Sequence, residues 1–410
     1  MQKSLAINGG KPVRNRPFTS WPVTSDEECS ALVDVYKSGV WGSVAGSRVH
    51  EFERDFAAYH DAKYGIAVVN GTVALKIALM AAGVGEGDEV IVPPYTFLAT
   101  ASAVVEANAV PVFVDIEPDT YCIDPKGFEE AITERTKAVI VVHLAGLAAD
   151  MDRIMAIAGK HGIVVIEDAA HAHGGTYGNR KLGSIGDMAC FSFQSSKNMT
   201  SGEGGIIITN NKDYADKCWS IHNCGRTRDG AWYAHYTIGG NYRMTEFQGA
   251  ILGCQMKKLS SRFDLRAANA DYLDTELAKI PGIKPLNGAR PAGTMNARHL
   301  YIFRYDEFVF GVPRSRFISA LTSEGIPSSE GYPLPLYEQP LFTNKEFGPY
   351  TGYLRTNPDI DYGKVFLPVT ERACKSEGCW IPQNVLLGDT GDMDDIVSAV
   401  SKIYEYRSEL

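Results

Sequence analysis

Apolar residues along this chain follow two rhythms. Short β-branched runs at residues 66–69, 89–92, 111–115, 138–142, 163–167, 189–193 and 206–209 have the length of buried strands. Segments with helical apolar spacing separate most of them. Seven strands interleaved with helices predict an α/β fold: a mostly parallel sheet covered on both faces, with ligands beyond the carboxyl ends of its strands. The last two runs are joined by a short glycine turn, which suits an antiparallel or bulged pair.

The flanking regions read differently. Residues 1–20, with Gly9, Gly10, Pro12 and Pro17, look like an extended arm. Ser25 with Glu28 three residues later predicts a capped helix over 25–38, ended by Gly39, and a second helix follows at 48–59. Beyond Gly239 the pattern predicts one long helix over 244–277, a strand at 299–305 and a closing helix at 393–404, with proline-rich segments between. The expected organisation is an arm at 1–20, a large domain at 21–266 and a smaller carboxyl-terminal α/β domain at 267–410.

Composition narrows the class. The chain has 410 residues, enough for two domains, and its 45% hydrophobic and 22% charged content is that of a soluble globular enzyme. A net charge of -9 argues against nucleic-acid binding, since no basic stripe exists to neutralise phosphates. No apolar stretch has the length of a membrane span and the start lacks a signal-peptide core, so a cytoplasmic protein without membrane contacts is expected. Eight cysteines without a Cys-x-x-Cys pair suggest neither a disulfide framework nor a zinc site.

Candidate chemistry centres on Lys197, between the run at 189–193 and a glycine turn. That position puts an amine at the mouth of the sheet. A buried ammonium costs several kcal/mol, so it is paired, deprotonated or committed to a carbonyl, as in the Schiff-base lysine of a pyridoxal phosphate enzyme. A lone loop lysine is usually just solvated. The case therefore turns on three further needs of that cofactor: a phosphate seat, a plate for its ring and a carboxylate for its pyridine nitrogen.

Each need has a candidate. Asn70-Gly71-Thr72 lies between a strand and a strong helix, where glycine permits close approach and the helix start offers free N–H groups. A threonine-capped helix explains the same stretch equally well. Tyr95, just past the run at 89–92, could plate the ring, although packing is the commoner fate of a tyrosine. Glu167-Asp168 ends a buried strand and needs something cationic; Asp168 would hold the pyridinium proton, and His171 would donate to the phenolic oxygen. A metal site built on Asp168, His171 and His173 ranks below this reading, because the spacing does not converge three ligands and no metal is expected. Gly83-Val84-Gly85-Glu86-Gly87 follows a helix rather than a strand, so it is a helix-ending turn and no dinucleotide fingerprint.

Further stretches carry a resemblance: Val90-Ile91-Val92-Pro93 with Thr96-Phe97-x-Ala99-Thr100, Val142-His143-Leu144-x-Gly146, Glu167-Asp168-Ala169-Ala170-His171, Ser192-Phe193 through Lys197 to Gly202-Glu203-Gly204-Gly205, and Asn241-Tyr242-Arg243-Met244-Thr245-Glu246. With them the chain resembles the DegT/StrS family of pyridoxal phosphate-dependent sugar and cyclitol aminotransferases, which have the aspartate aminotransferase-like fold type I. The resemblance implies that Lys197 is the Schiff-base lysine and proton shuttle, and that Asp168 and His171 act on the ring. It also implies that Gly71, Thr72 and Ser192 hold the phosphate. Asn241 would reach the neighbouring subunit's cofactor, which implies a homodimer with shared active sites.

The implied reaction moves an amino group from glutamate or glutamine to a keto-cyclitol or ketosugar, free or nucleotide-linked. Sugar 3-dehydratases of the same family carry histidine where Lys197 stands, so the lysine favours amino transfer. The stretch 168–174 and His222-x-Cys224-Gly225-Arg226 look closer to cyclitol enzymes and to 3-amino-5-hydroxybenzoate synthases, and the latter is the alternative activity. A cofactor-binding regulator without turnover is a further one. Trp41, Arg226 and Tyr332 are candidate substrate contacts, with packing as the competing role for each.

Overall fold

The structure, a computed structural model, describes residues 4–350, 352–357 and 359–410. Its centre is a sheet of seven strands: β1 (Tyr64–Val68), β2 (Glu89–Val92), β3 (Val110–Phe113), β4 (Thr136–Val142), β5 (Val164–Asp168), β6 (Met188–Ser192) and β7 (Gly205–Thr209). Their spatial order is β1-β7-β6-β5-β4-β2-β3. All pairings from β6 across to β3 are parallel, while β7 runs antiparallel to both β6 and β1. Six strands therefore share one direction. The expected seven strands are all present, and the glycine-joined pair is antiparallel.

Alternation along the strands explains how one sheet feeds two cores. Ala67, Ile91, Val139, Val141, Val165, Ala189 and Phe191 enter one buried cluster, and Ile66, Val68, Val90, Val92, Ala138, Ile140, Ile166 and Cys190 enter the other. With both faces covered, the strands read as continuous apolar runs. The first cluster includes Phe52 and Phe56 of α1 (Arg48–Tyr59), and the second includes Ala74, Leu75 and Ile77 of α2 (Gly71–Ala81). Residues of the late segment, among them Leu336, Tyr337, Phe342 and Tyr362, also pack in the second cluster.

A third cluster joins the distal half of the long helix α3 (Glu246–Leu277), a three-stranded antiparallel sheet and the closing helix α4 (Thr390–Glu405). That sheet is β8 (Ile283–Pro285), β9 (Leu300–Tyr305) and β10 (Gly378–Pro382). Leu5 of the leading segment is buried in this cluster, and Arg14 is tied at 2.7 Å to both Asp392 and Asp395. The expected helix after Ser25 spans Asp26–Ser38, its Glu28 side chain accepting from the Ser25 N–H at 2.9 Å and Gly39 closing it in the left-handed region. Among the described residues, no helix is long and apolar enough to cross a membrane.

Candidate active site

Because six strands run one way, their carboxyl ends deliver side chains to one edge. Asp168 ends β5 and Ser192 ends β6, while the helix start after β1 brings up Gly71 and Thr72, and the segment after β2 brings up Phe97 and Thr100. The lysine loop between β6 and β7 crosses the same edge. A cavity of about 810 Å³ opens there, lined by Lys197 and these residues together with His171, and closed from the other side by His299, Tyr332, Trp380 and Gln383.

Asp168 is the electrostatic pivot. It is buried, its Oδ2 accepts from the Thr100 hydroxyl at 2.8 Å, and its Oδ1 accepts only a long bond from the Ala170 N–H at 3.3 Å. Burial raises its pKa against the opposing pull of the Thr100 bond, so the carboxylate lacks a full complement of donors. Lys197 is half-buried. Desolvation pushes its amine down to about 8, although the attraction of Asp168 works the other way.

His171 receives the Ala145 N–H on Nδ1 at 3.1 Å and lies against the His299 ring, with centroids 4.2 Å apart. Burial, with repulsion from Lys197, holds its pKa well below the usual histidine range, so it is neutral. With Nδ1 accepting, the proton sits on Nε2, which becomes a donor toward the cavity. His299 is held in turn by the Asn198 side chain at 3.2 Å.

At the other end, α2 begins at Gly71, and its cap is Asn70, whose Oδ1 accepts from the Val73 N–H at 2.9 Å. Thr72 is therefore inside the first turn, with its hydroxyl released from capping. A Cβ on Gly71 would stand 2.8 Å from the Ser192 Cβ, so only glycine lets this helix start meet the end of β6. Free N–H groups, two hydroxyls and the helix dipole converge on one spot, which is an anion seat.

Not every expected residue is on the wall. Tyr95 is wholly buried behind it, boxed edge-on by Tyr121, Tyr332 and Trp380, and its hydroxyl accepts the Trp380 indole N–H at 3.1 Å. It is thus not placed to plate a ring. Phe97, two residues on, lines the cavity and is 62% exposed. Of the candidate substrate contacts, Tyr332 lines the cavity, whereas Trp41 stacks on Tyr36 and Arg226 lies elsewhere, with a buried Nε that meets no acceptor. Asn241 is exposed, paired with Asn223 through an isolated bridge and away from the cavity wall.

The acidic pair is divided between two tasks. Glu167 points away from Asp168 into the interior, accepting from the N–H groups of Gly183, Ile185 and Gly186 and from His143 at 2.9 Å. Burial alone would raise its pKa, but these bonds, the His143 one foremost, hold it below the usual carboxylate range. The Ala149 N–H donates to His143 Nδ1, which fixes the imidazole proton on the nitrogen facing Glu167. His173 is buried edge-on among Phe56, Phe191 and Phe193. Asp168, His171 and His173 do not converge, and among the described residues no group of three metal-ligating side chains does.

An alternating α/β sheet with one antiparallel strand, and a lysine loop over a buried aspartate at its carboxyl edge, is the arrangement of fold-type I aminotransferases. The chain belongs to the DegT/DnrJ/EryC1/StrS aminotransferase family, whose sequence pattern matches residues 22–400. It is 39% identical, over an alignment that covers 100% of each chain, to the L-glutamine:2-deoxy-scyllo-inosose aminotransferase of Streptoalloteichus tenebrarius, and 39% identical to a putative L-glutamine:3-amino-2,3-dideoxy-scyllo-inosose aminotransferase of Streptomyces kanamyceticus, with 100% of this chain and 99% of the other covered. Among solved structures it is similar to 3-amino-5-hydroxybenzoic acid synthase, with a TM-score of 0.86, 31% identity and coverage of 97% of this chain and 100% of the other. It is also similar to NtdA from Bacillus subtilis with bound cofactor PMP, with a TM-score of 0.81, 29% identity and coverage of 96% and 87%.

Proposed function

We propose that this aminotransferase holds pyridoxal phosphate and moves the amino group of L-glutamine to a keto-cyclitol of the scyllo-inosose kind. The observation that carries the cofactor reading is Asp168: a buried carboxylate, short of donors and facing a cavity with a lysine opposite, is completed by a protonated ring nitrogen. The Gly71–Ser192 contact with Thr72 fits the phosphate, the His171 Nε2–H fits a ring oxygen, and Phe97 rather than Tyr95 is the plate available to the ring. Bound there, the cofactor supplies an aldehyde that carries nitrogen between substrates and a ring that withdraws electrons.

The chain's own groups supply the rest. Lys197, with its amine brought down to about 8, is neutral often enough near physiological pH to take a proton from the donor's α-carbon at Nζ and to return it. Asp168 keeps the opposing charge in place throughout. Tyr332 and Trp380 roof the cavity and exclude water from the exchange.

Glutamine and a keto-cyclitol are the substrates in the names of full-length relatives at 39% identity. The similarity to 3-amino-5-hydroxybenzoic acid synthase keeps that activity as the second reading. A matrix of amino donors against 2-deoxy-scyllo-inosose, scyllo-inosose and nucleotide-linked ketosugars tests both. Amination of a free cyclitol by glutamine is expected; amination of nucleotide-linked sugars alone overturns the substrate assignment.

A second copy of the chain belongs to this reading. Trp232, Tyr233, Tyr236 and Ile238 are all more than 60% exposed within one short stretch just before Asn241, and large apolar side chains exposed so close together in the chain support association. The homodimer puts Asn241 at its partner's cofactor.

A further inference from the structure

Arg266 of α3 is wholly buried, and among the described residues no carboxylate pairs with it. Its Nε and Nη2 both donate to one atom, Gln383 Oε1, at 2.9 and 2.5 Å, and its Nη1 has no partner. Arg262, of the same sign, acts on it, and the guanidinium groups of Arg262 and Arg266 lie over the Trp21 ring at 5.4 and 5.3 Å. Burial pushes the pKa of Arg266 down only to about 9, so it is charged at neutral pH. A buried guanidinium without a counter-ion is costly. An anion arriving nearby would offset that cost.

Gln383 shows where the anion would sit. It follows β10, is nearly buried and lines the cavity together with Trp21 and Trp380. A guanidinium has only donors, so the amide cannot be flipped: its oxygen must face Arg266 and its Nε2 must face away. That Nε2 donates to no acceptor among the described residues, and the side chain that carries it lines the cavity, so the amide is turned toward the cavity. One turn further along α3, Asn269 donates to the carbonyls of Leu386 and Gly388, both at 2.9 Å, which fixes the loop that carries Gln383.

We propose that Gln383, locked by Arg266, is the clamp for the α-carboxylate of the amino donor, a role that rests on the aminotransferase reading of this cavity. The Nε2 amide donates to a carboxylate oxygen, and the unpaired guanidinium behind it supplies the positive charge. The cavity must admit an amino acid and an uncharged cyclitol in turn. Of the two only the amino acid brings an anion, so the clamp serves the donor.

The test uses the holoenzyme and glutaramate, which has glutamine's skeleton and carboxylate but no amine to react. Gln383→Glu keeps the size and the acceptor for Arg266 but turns an oxygen to the cavity; Gln383→Met removes the donor if the first variant folds poorly, with cofactor absorbance and melting temperature reporting integrity. Both variants are expected to weaken glutaramate binding by at least about tenfold, about 1.4 kcal/mol. KM for L-glutamine should rise by a similar factor and at least about fivefold more than KM for the cyclitol. Unchanged glutaramate affinity, donor and acceptor KM values rising together, or a loss of cofactor affinity instead would overturn the clamp. A wild-type holoenzyme whose cofactor absorbance no amino acid shifts would refute the aminotransferase reading itself, a different result from a working enzyme whose variants keep their glutaramate affinity.

Discussion

At the scale of single residues, two groups carry the proposed chemistry, and each has a measurable signature. Lys197 carries an amine lowered to about 8 because burial penalises its charged form. A lysine becomes reactive when it loses its proton, so acylation of Lys197 in cofactor-free protein should rise with pH around 8. An ordinary solvated lysine follows only near about 10.4. Peptide mapping after labelling at several pH values reads both, and a Lys197 profile that matches the exposed lysines would be wrong for this site. Thr100 supplies the short hydrogen bond to Asp168. Thr100→Val removes it from a charged acceptor, a loss of about 1.5–3 kcal/mol, and pyridoxal phosphate affinity should fall by at least about tenfold in an absorbance titration.

The elements are held in register by the other half of the acidic pair. Glu167, next to the end of β5, gathers three backbone N–H groups from the turn at 183–186 and the His143 imidazole at the end of β4. Glu167→Ala leaves those donors buried without an acceptor, and urea unfolding should show a loss of about 3–5 kcal/mol. The acid dependence follows from its sign. The native pKa lies below the usual carboxylate range, so the stabilisation is present above the ordinary glutamate pKa and is lost as pH falls through the lower native value. The variant's stability should accordingly be flatter than the wild type's on the acid side.

For the whole molecule, the test lies at the surface. Trp232 and Ile238 are 79% and 83% exposed in the single chain. Replacing them as Trp232→Ser with Ile238→Asp is expected to convert the proposed dimer to monomers in sedimentation velocity. Because Asn241 would then lose its partner, cofactor should wash out of the variant more readily. A dimer that survives both changes places the interface elsewhere.

The amino-acid sequence by itself determined the seven strands, the antiparallel glycine-joined pair and the placing of Lys197, Asp168 and the Gly71–Thr72 helix start at one edge. These follow from local patterns, because apolar runs, caps and glycine turns act within a few residues of each other. Tertiary structure decided which side chains face the cavity. Tyr95 and Phe97 are equivalent aromatic residues after the same strand, and what separates them is Trp380, 285 positions from Tyr95, which bonds the tyrosine and seals it in the core. Glu167 and Asp168 likewise look alike in sequence, until His143 and the turn at 183–186 claim one and leave the other to the site. Arg266 meeting Gln383 across 117 positions was equally illegible, since no local pattern marks a charge whose partner arrives only when the chain has closed.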